Sequence, residues 1–295
     1  MIRWAELGVG AARFGAASRR AAVCEPEVRA ILETAADNGV TLIDTSAAFA
    51  EAERLLGQSW PFPSPFRVIT KTLRLSDGLD RLEARARRSL ERMGLPRGWA
   101  LLVDHAEDLL APEGRQLWAR LERLRDEGLF QKIGFSARGG DEPLLLARRF
   151  APDLVQLPAS ILDQRYERDG TFRAIKDLGC DIQLRSILQQ GLLFLPRESL
   201  PPALARTGPQ LSRIRRMLAE SGADPLQAAL AWARTRREAS SVVVGVGSAA
   251  ELRAVVAAAC APVPDLDWSA LALDDVAALD SRQWREASAL LSSAA

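Results

Sequence analysis

Short runs rich in valine, isoleucine and leucine alternate along the chain with longer amphipathic stretches. Eight runs recur, near Glu6–Gly10, Thr41–Asp44, Arg67–Lys71, Trp99–His105, Lys132–Ser136, Leu154–Gln156, Asp181–Ser186 and Ser241–Gly245. This is the pattern of buried parallel strands joined by crossover helices. Helix punctuation falls between the runs: Pro26 opens one stretch, and Gly39, Gly94, Gly128, Gly179 and Gly222 stand where helices should stop. In residues 78–94, Leu79, Leu82, Ala86, Leu90 and Met93 recur at spacings of three and four and leave the other faces charged, which predicts a helix covering a barrel or sheet. Eight strand-then-helix units in about 260 residues, with no Pro/Gly/Ser linker between halves, predict an α/β fold: one (β/α)8 TIM barrel spanning residues 1–295. A doubly wound sheet is the alternative. A C-terminal helical extension is expected from Asp265 to Ala295, with helices near Leu271–Leu279 and Arg282–Leu291. Residues 194–225, with five prolines, read as one long irregular connection able to fold over the barrel mouth.

Charge narrows the function classes. The 39 basic and 38 acidic residues nearly cancel, so no field strong enough to gather nucleic acid or an acidic membrane surface is expected. No stretch approaches the ~18 apolar residues that span a bilayer. Cys24, Cys180 and Cys260 lie far apart without metal-type spacing and read as reduced thiols. The opening MIRWAELGVG lacks a basic segment followed by a long apolar run, so a cytoplasmic location is expected. Only three of the 39 basic residues are lysines, Lys71, Lys132 and Lys176, and His105 and Tyr166 are the only histidine and tyrosine.

Barrels place their working groups at the carboxyl ends of the strands. The second, third and fourth runs end in Asp44, Lys71 and His105, so an acid, a lysine and the histidine project from adjacent strands toward one mouth. Each has a plainer reading: Asp44 with Thr45 and Ser46 as a helix cap, Lys71 as a snorkelling surface residue, His105 as a structural histidine. Together they suit chemistry, since a paired lysine polarises an oxygen and histidine exchanges a proton near neutral pH. Later strands end in Ser136, Gln156, and Arg185 with Ser186. The eighth runs through Gly245, Val246 and Gly247 into a helix near Ala249, a turn suited to a phosphate. Ser248 and Glu251 also read there as a capping box, and Glu251 would repel a phosphate. The N-terminal GVGAARFG imitates a dinucleotide fingerprint, but Arg13 replaces its third glycine.

The ordered segments LGVGAARFG, LIDTSAAFAEAERLLG, VITKT, LLVDH, KIGFSA, LVQLPASILDQR, LRSILQQGLL and VVVGVGSAAEL resemble those of the aldo-keto reductases over nearly the whole chain. The resemblance implies an NAD(P)-dependent barrel oxidoreductase acting on a carbonyl or alcohol of a small metabolite. It places Asp44, Lys71 and His105 on three catalytic positions and Phe49 on that of the tyrosine acid; Tyr166 is a weaker substitute. It assigns Ser136 and Gln156 to the nicotinamide carboxamide and Arg185 to packing against the nicotinamide. Ser186, Leu188 and Gln190 fall to the pyrophosphate side, and Gly245, Val246, Gly247 and Ser248 to the 2′-phosphate loop. The expected asparagine beside Ser136 is Ala137, the loop has no lysine or arginine of its own, and Ala254 and Val255 replace an acidic-amide pair near adenine. NADP is slightly favoured over NAD by the resemblance. Without the tyrosine hydroxyl two further classes stay open, a silent dinucleotide- or metabolite-binding regulatory barrel and a non-redox acid/base enzyme. The substrate pocket falls to loops such as Leu73–Gly78 and Glu198–Ser221, and Phe49, Trp60, Phe62 and Phe194 suggest an apolar or ring-shaped ligand, with interhelical packing the plainer reading for Trp60. The sequence fixes no oligomeric state.

Overall fold

The computed structural model describes residues 4–15, 22–195, 199–280 and 284. Its strands are β1 (Glu6–Gly10), β2 (Leu42–Asp44), β3 (Arg67–Lys71), β4 (Gly98–Val103), β5 (Phe130–Ser136), β6 (Leu154–Pro158), β7 (Asp181–Arg185) and β8 (Ala239–Gly245). All pair in parallel and in chain order, and β8 closes on β1, so the eight form a closed barrel. The helices are α1 (Glu25–Asp37), α2 (Ala52–Ser59), α3 (Leu79–Met93), α4 (Gly114–Asp126), α5 (Pro143–Phe150), α6 (Arg165–Arg168), α7 (Thr171–Asp177), α8 (Gly208–Glu220), α9 (Pro225–Arg234), α10 (Ala249–Cys260) and α11 (Val276–Leu279). No helix among the described residues is long and apolar enough to cross a membrane.

The helix α3 shows how the sequence makes a barrel cover. Leu82, Ala86, Leu90 and Met93 are buried along one side, and the chain then reverses at Gly94, whose φ of 64° suits a residue without a Cβ. Most apolar side chains form one belt between strands and helices. A second, smaller cluster fills the barrel itself, made of Leu42, Ile69, Ala100, Leu102 and Leu154.

Two expectations are corrected. Residues 194–225 are not one irregular connection, because α8 occupies Gly208–Glu220. Pro209 sits in its first turn, where the missing N–H costs nothing, and Leu211, Ile214 and Leu218 bury at helical spacing. The stretch Leu271–Leu279 is not a continuous helix: a 3-10 turn at Trp268–Leu271 and the single turn of α11 flank an extended link. There the Leu273 N–H donates to the Leu162 carbonyl at 2.9 Å, a tertiary bond that replaces a helical one. The expected helix Arg282–Leu291 lies outside the described residues apart from Trp284, as does Glu198 of the expected pocket loop.

Candidate active site

Side chains two apart on a strand share a face. Leu42, Ile69 and Leu154 plug the barrel, so the residues two further on, Asp44, Lys71 and Gln156, form the polar floor of its C-terminal mouth. Lys71 Nζ donates to Asp44 Oδ1 at 2.6 Å, to Oδ2 at 2.8 Å and to the Thr45 carbonyl at 2.9 Å. Each of its three protons therefore has an acceptor. The pair is buried, at 4% and 8% side-chain exposure. Asp44 is not a helix cap.

The floor continues as a row across adjacent strands, since register aligns Ser136 with Gln156 and Gln156 with Gln183. Ser136 Oγ donates to Gln156 Oε1 at 2.7 Å. Gln156 Nε2 donates to Asp44 Oδ1 at 3.0 Å and to Gln183 Oε1 at 2.6 Å, and Gln183 Nε2 donates to Ser241 Oγ at 3.2 Å. Both amide protons of Gln156 are thus engaged, while its carbonyl and the Ser136 hydroxyl keep lone pairs for accepting from a ligand amide.

Phe49 lies half-buried over this floor, its ring centre 5.5 Å from Lys71 Nζ. Its loop is tied down from below by buried Glu53, which accepts from Arg85 at 2.6 Å and Thr70 Oγ1 at 3.2 Å, while Arg85 also donates to the Ala47 carbonyl. Trp60 packs between helices, with Nε1 on the Met93 carbonyl at 2.8 Å and its ring against Phe66. Phe62 and Phe194 are exposed.

His105 belongs to a second cluster. It lies two residues beyond β4, where Arg138 approaches its ring nitrogens and reaches Asp104 at 3.4 Å. Glu107 Oε1 lies 3.3 Å from Nδ1. Burial, reinforced by the Arg138 charge, lowers the histidine pKa from 6.5, and Asp104 and Glu107 only partly oppose this. Arg185 joins the two clusters electrostatically. Burial and the Arg138 charge lower its pKa, while Asp44 and Asp104 raise it. Its guanidinium donates to the Ala137 carbonyl at 2.7 Å and to Ser186 Oγ at 3.1 Å. Tyr166 supports the wall, its hydroxyl donating to the Arg138 carbonyl at 3.2 Å, and burial pushes its pKa up to about 12.

Beyond β7, Ser186, Gln189 and Gln190 adopt φ of 61°, 44° and 55°, a left-handed cluster in which strain and backbone concavity commonly mark a binding loop. Leu188 packs inward between them. At the end of β8 Gly245 opens to solvent; beyond it Val246 is buried, and Ser248 Oγ caps α10 by accepting from Glu251 N–H at 3.0 Å. The Gly247 N–H donates to Glu251 Oε2 at 2.8 Å, and Arg13 pairs with the same oxygen at 2.8 Å.

The structure thus brings Asp44, Lys71, Phe49, Ser136 and Gln156 into one set of contacts and places His105 in a second with Arg138 and Asp104, while Arg185 feels the charges of both. The sequence reading missed Gln183 and Arg138. Gln183 carried a signal, a glutamine inside an apolar strand run, whereas nothing local to Arg138 announced that its side chain folds back onto His105.

The sequence model described as the aldo/keto reductase family matches residues 6–273. No curated protein matches the chain. An aldo-keto reductase from Bacillus halodurans in its holo form superposes with a TM-score of 0.71 at 19% identity, over 90% of each chain. A Pseudomonas aeruginosa protein assigned to the aldo-keto reductases gives 0.63 at 20% identity over 91% of each chain. At these identities the structural likeness speaks for the barrel fold alone.

Proposed function

Because the chain belongs to the aldo/keto reductase family, we propose that it is an NAD(P)-linked oxidoreductase interconverting a carbonyl and an alcohol of a small metabolite, with Phe49 in place of the tyrosine acid. The observation that carries this reading is the buried Lys71–Asp44 pair under the Phe49 ring, next to Ser136 and Gln156 with free acceptor capacity. A nicotinamide dinucleotide would supply or take up the hydride. Ser136 and Gln156 fit its carboxamide as acceptors, Arg185 fits the packing position against the nicotinamide, and the left-handed loop 186–190 fits its pyrophosphate side.

The carbonyl oxygen needs a donor that Phe49 does not provide. Lys71, with all three protons engaged, orders the floor and contributes a fixed charge. His105 remains: the Arg138 guanidinium approaches both ring nitrogens and Glu107 Oε1 lies 3.3 Å from Nδ1, and the reading requires the neutral tautomer that carries its proton on Nε2. A neutral imidazole in that tautomer acts as an electrophile toward the carbonyl oxygen, and the ring, 15% exposed, keeps an edge open to the water that completes the alcohol.

The test is titration of the seven-tryptophan protein with NADH and NADPH by fluorescence, followed by aldehyde reduction with Phe49→Tyr. The reading expects saturable binding of at least one cofactor, and a rise in turnover of about 10²-fold or more from a restored general acid. Absence of binding up to millimolar cofactor overturns it. The saturation of Lys71 favours a second reading, a silent dinucleotide-binding barrel, which expects tight cofactor binding and no gain from Phe49→Tyr.

A further inference from the structure

The turn between β8 and α10 is the one that the family resemblance assigns to the cofactor's 2′-phosphate end, and this inference rests on that assignment and on the dinucleotide reading above. Helix N-termini hold phosphates through free backbone N–H groups and the positive end of the helix dipole. Here three of those groups are already committed within the protein. The Gly247 N–H donates to Glu251 Oε2 at 2.8 Å, the Ala249 N–H to Glu27 Oε1 at 2.7 Å and the Glu251 N–H to Ser248 Oγ at 3.0 Å. Two of the three acceptors are carboxylates.

One cation reaches the turn from outside. Arg13, the residue that spoils the N-terminal glycine fingerprint, lays its guanidinium flat against Gly247, leaving no room there even for a methyl group. Its Nη1 pairs with Glu251 at 2.8 Å. With Arg13 positive and Glu27 and Glu251 negative, the three side chains leave a surplus negative charge. A ribose 2′-hydroxyl can donate to the half-exposed Glu251 carboxylate, whereas a 2′-phosphate would meet two like charges and no free donor from Gly247 or Ala249.

We infer that Glu251 is a specificity residue that directs this chain to NAD(H) and against NADP(H), with Arg13 held in reserve by its pairing to Glu251. This reverses the preference that the family resemblance implies. Removing the Glu251 carboxylate releases both the Gly247 N–H and the Arg13 guanidinium for a phosphate.

Binding constants for NADH and NADPH, measured by tryptophan quenching and energy transfer on the full chain without turnover, test this. The native protein is expected to bind NADPH at least about tenfold more weakly than NADH. Glu251→Ala is expected to tighten NADPH by about tenfold and to change NADH by less than about threefold. Arg13→Ala in the Glu251→Ala background should remove the gain, and Glu251→Gln, which keeps an acceptor for Gly247 without the charge, should give part of it. Arg253→Ala, on the exposed side of α10, should leave the ratio unchanged. Equal or tighter native binding of NADPH, or an unchanged ratio in Glu251→Ala, overturns the inference while leaving the dinucleotide reading intact. Failure of both cofactors to bind the native chain overturns both.

Discussion

Two lysine–aspartate pairs stand at opposite ends of the barrel. At the mouth, Lys71 and Asp44 are 4% and 8% exposed, and the surrounding backbone and Gln156 take up the remaining hydrogen-bonding capacity. At the other end, Lys132 of β5 meets Asp181 at the start of β7 at 2.5 Å, but each is 30% exposed, and Lys176 shares the same carboxylate. There Lys132 and Lys176 hold the Asp181 carboxyl below its ordinary pKa against the opposing pull of burial. The chemical groups match and the surroundings do not. Water can replace either partner at the lower end, whereas at the mouth the loss of one partner strands the other in the barrel.

Matched substitutions sharpen that contrast. Lys71→Met leaves Asp44 buried without its cation and should cost roughly 3–5 kcal/mol in denaturant unfolding. Lys132→Met should cost no more than about 1 kcal/mol, the range of exposed pairs. Equal losses at the two ends would refute the idea that burial separates them. Between these extremes lies Gln156→Leu. It removes a donor from Asp44 and from Gln183 and an acceptor from Ser136, all buried, and should cost about 1–3 kcal/mol by the same measurement. A loss below a few tenths would mean that water or rotation of neighbouring side chains restores the row.

The two pairs also show what was legible in the sequence. The scarcity of lysine marked Lys71, Lys132 and Lys176 alike, and only position separated them: Lys71 ends an apolar run, whereas Lys132 opens one and Lys176 sits on a helix. Strand existence was legible because eight apolar runs each needed a buried face. The mouth residues Asp44, Lys71, Ser136 and Gln156 followed from their places at the ends of the apolar runs, although β6 continues two residues beyond Gln156. The floor joining them was not legible, because the Gln156–Gln183–Ser241 row depends on register across three strands, which pattern alone does not set. Prolines misled the reading of 194–225, since Pro209 in a first turn starts a helix and elsewhere would stop one. Arg13 shows the same limit. It was seen as a defect in a glycine motif, and its partner Glu251 lies at the other end of the chain, brought near only when β8 closes on β1.

The smallest expected effect concerns the wall opposite the floor. Burial and Arg138 lower the His105 pKa from 6.5. The unfolded ring therefore takes up its proton at a higher pH than the folded one, so the contribution of neutral His105 to stability is present above pH 6.5 and is lost as pH falls through the folded pKa. Arg138→Leu removes the nearer cation and leaves Arg74 alone to oppose Asp104 and Glu107, so the pKa should rise while the burial effect persists. The protein has one histidine, so a single imidazole signal in an NMR titration reports the change without assignment. An unmoved or lower pKa would show that burial alone sets the ring's charge state. Arg138 would then lose its part in keeping His105 neutral, the state that the proposed donor role of the ring requires.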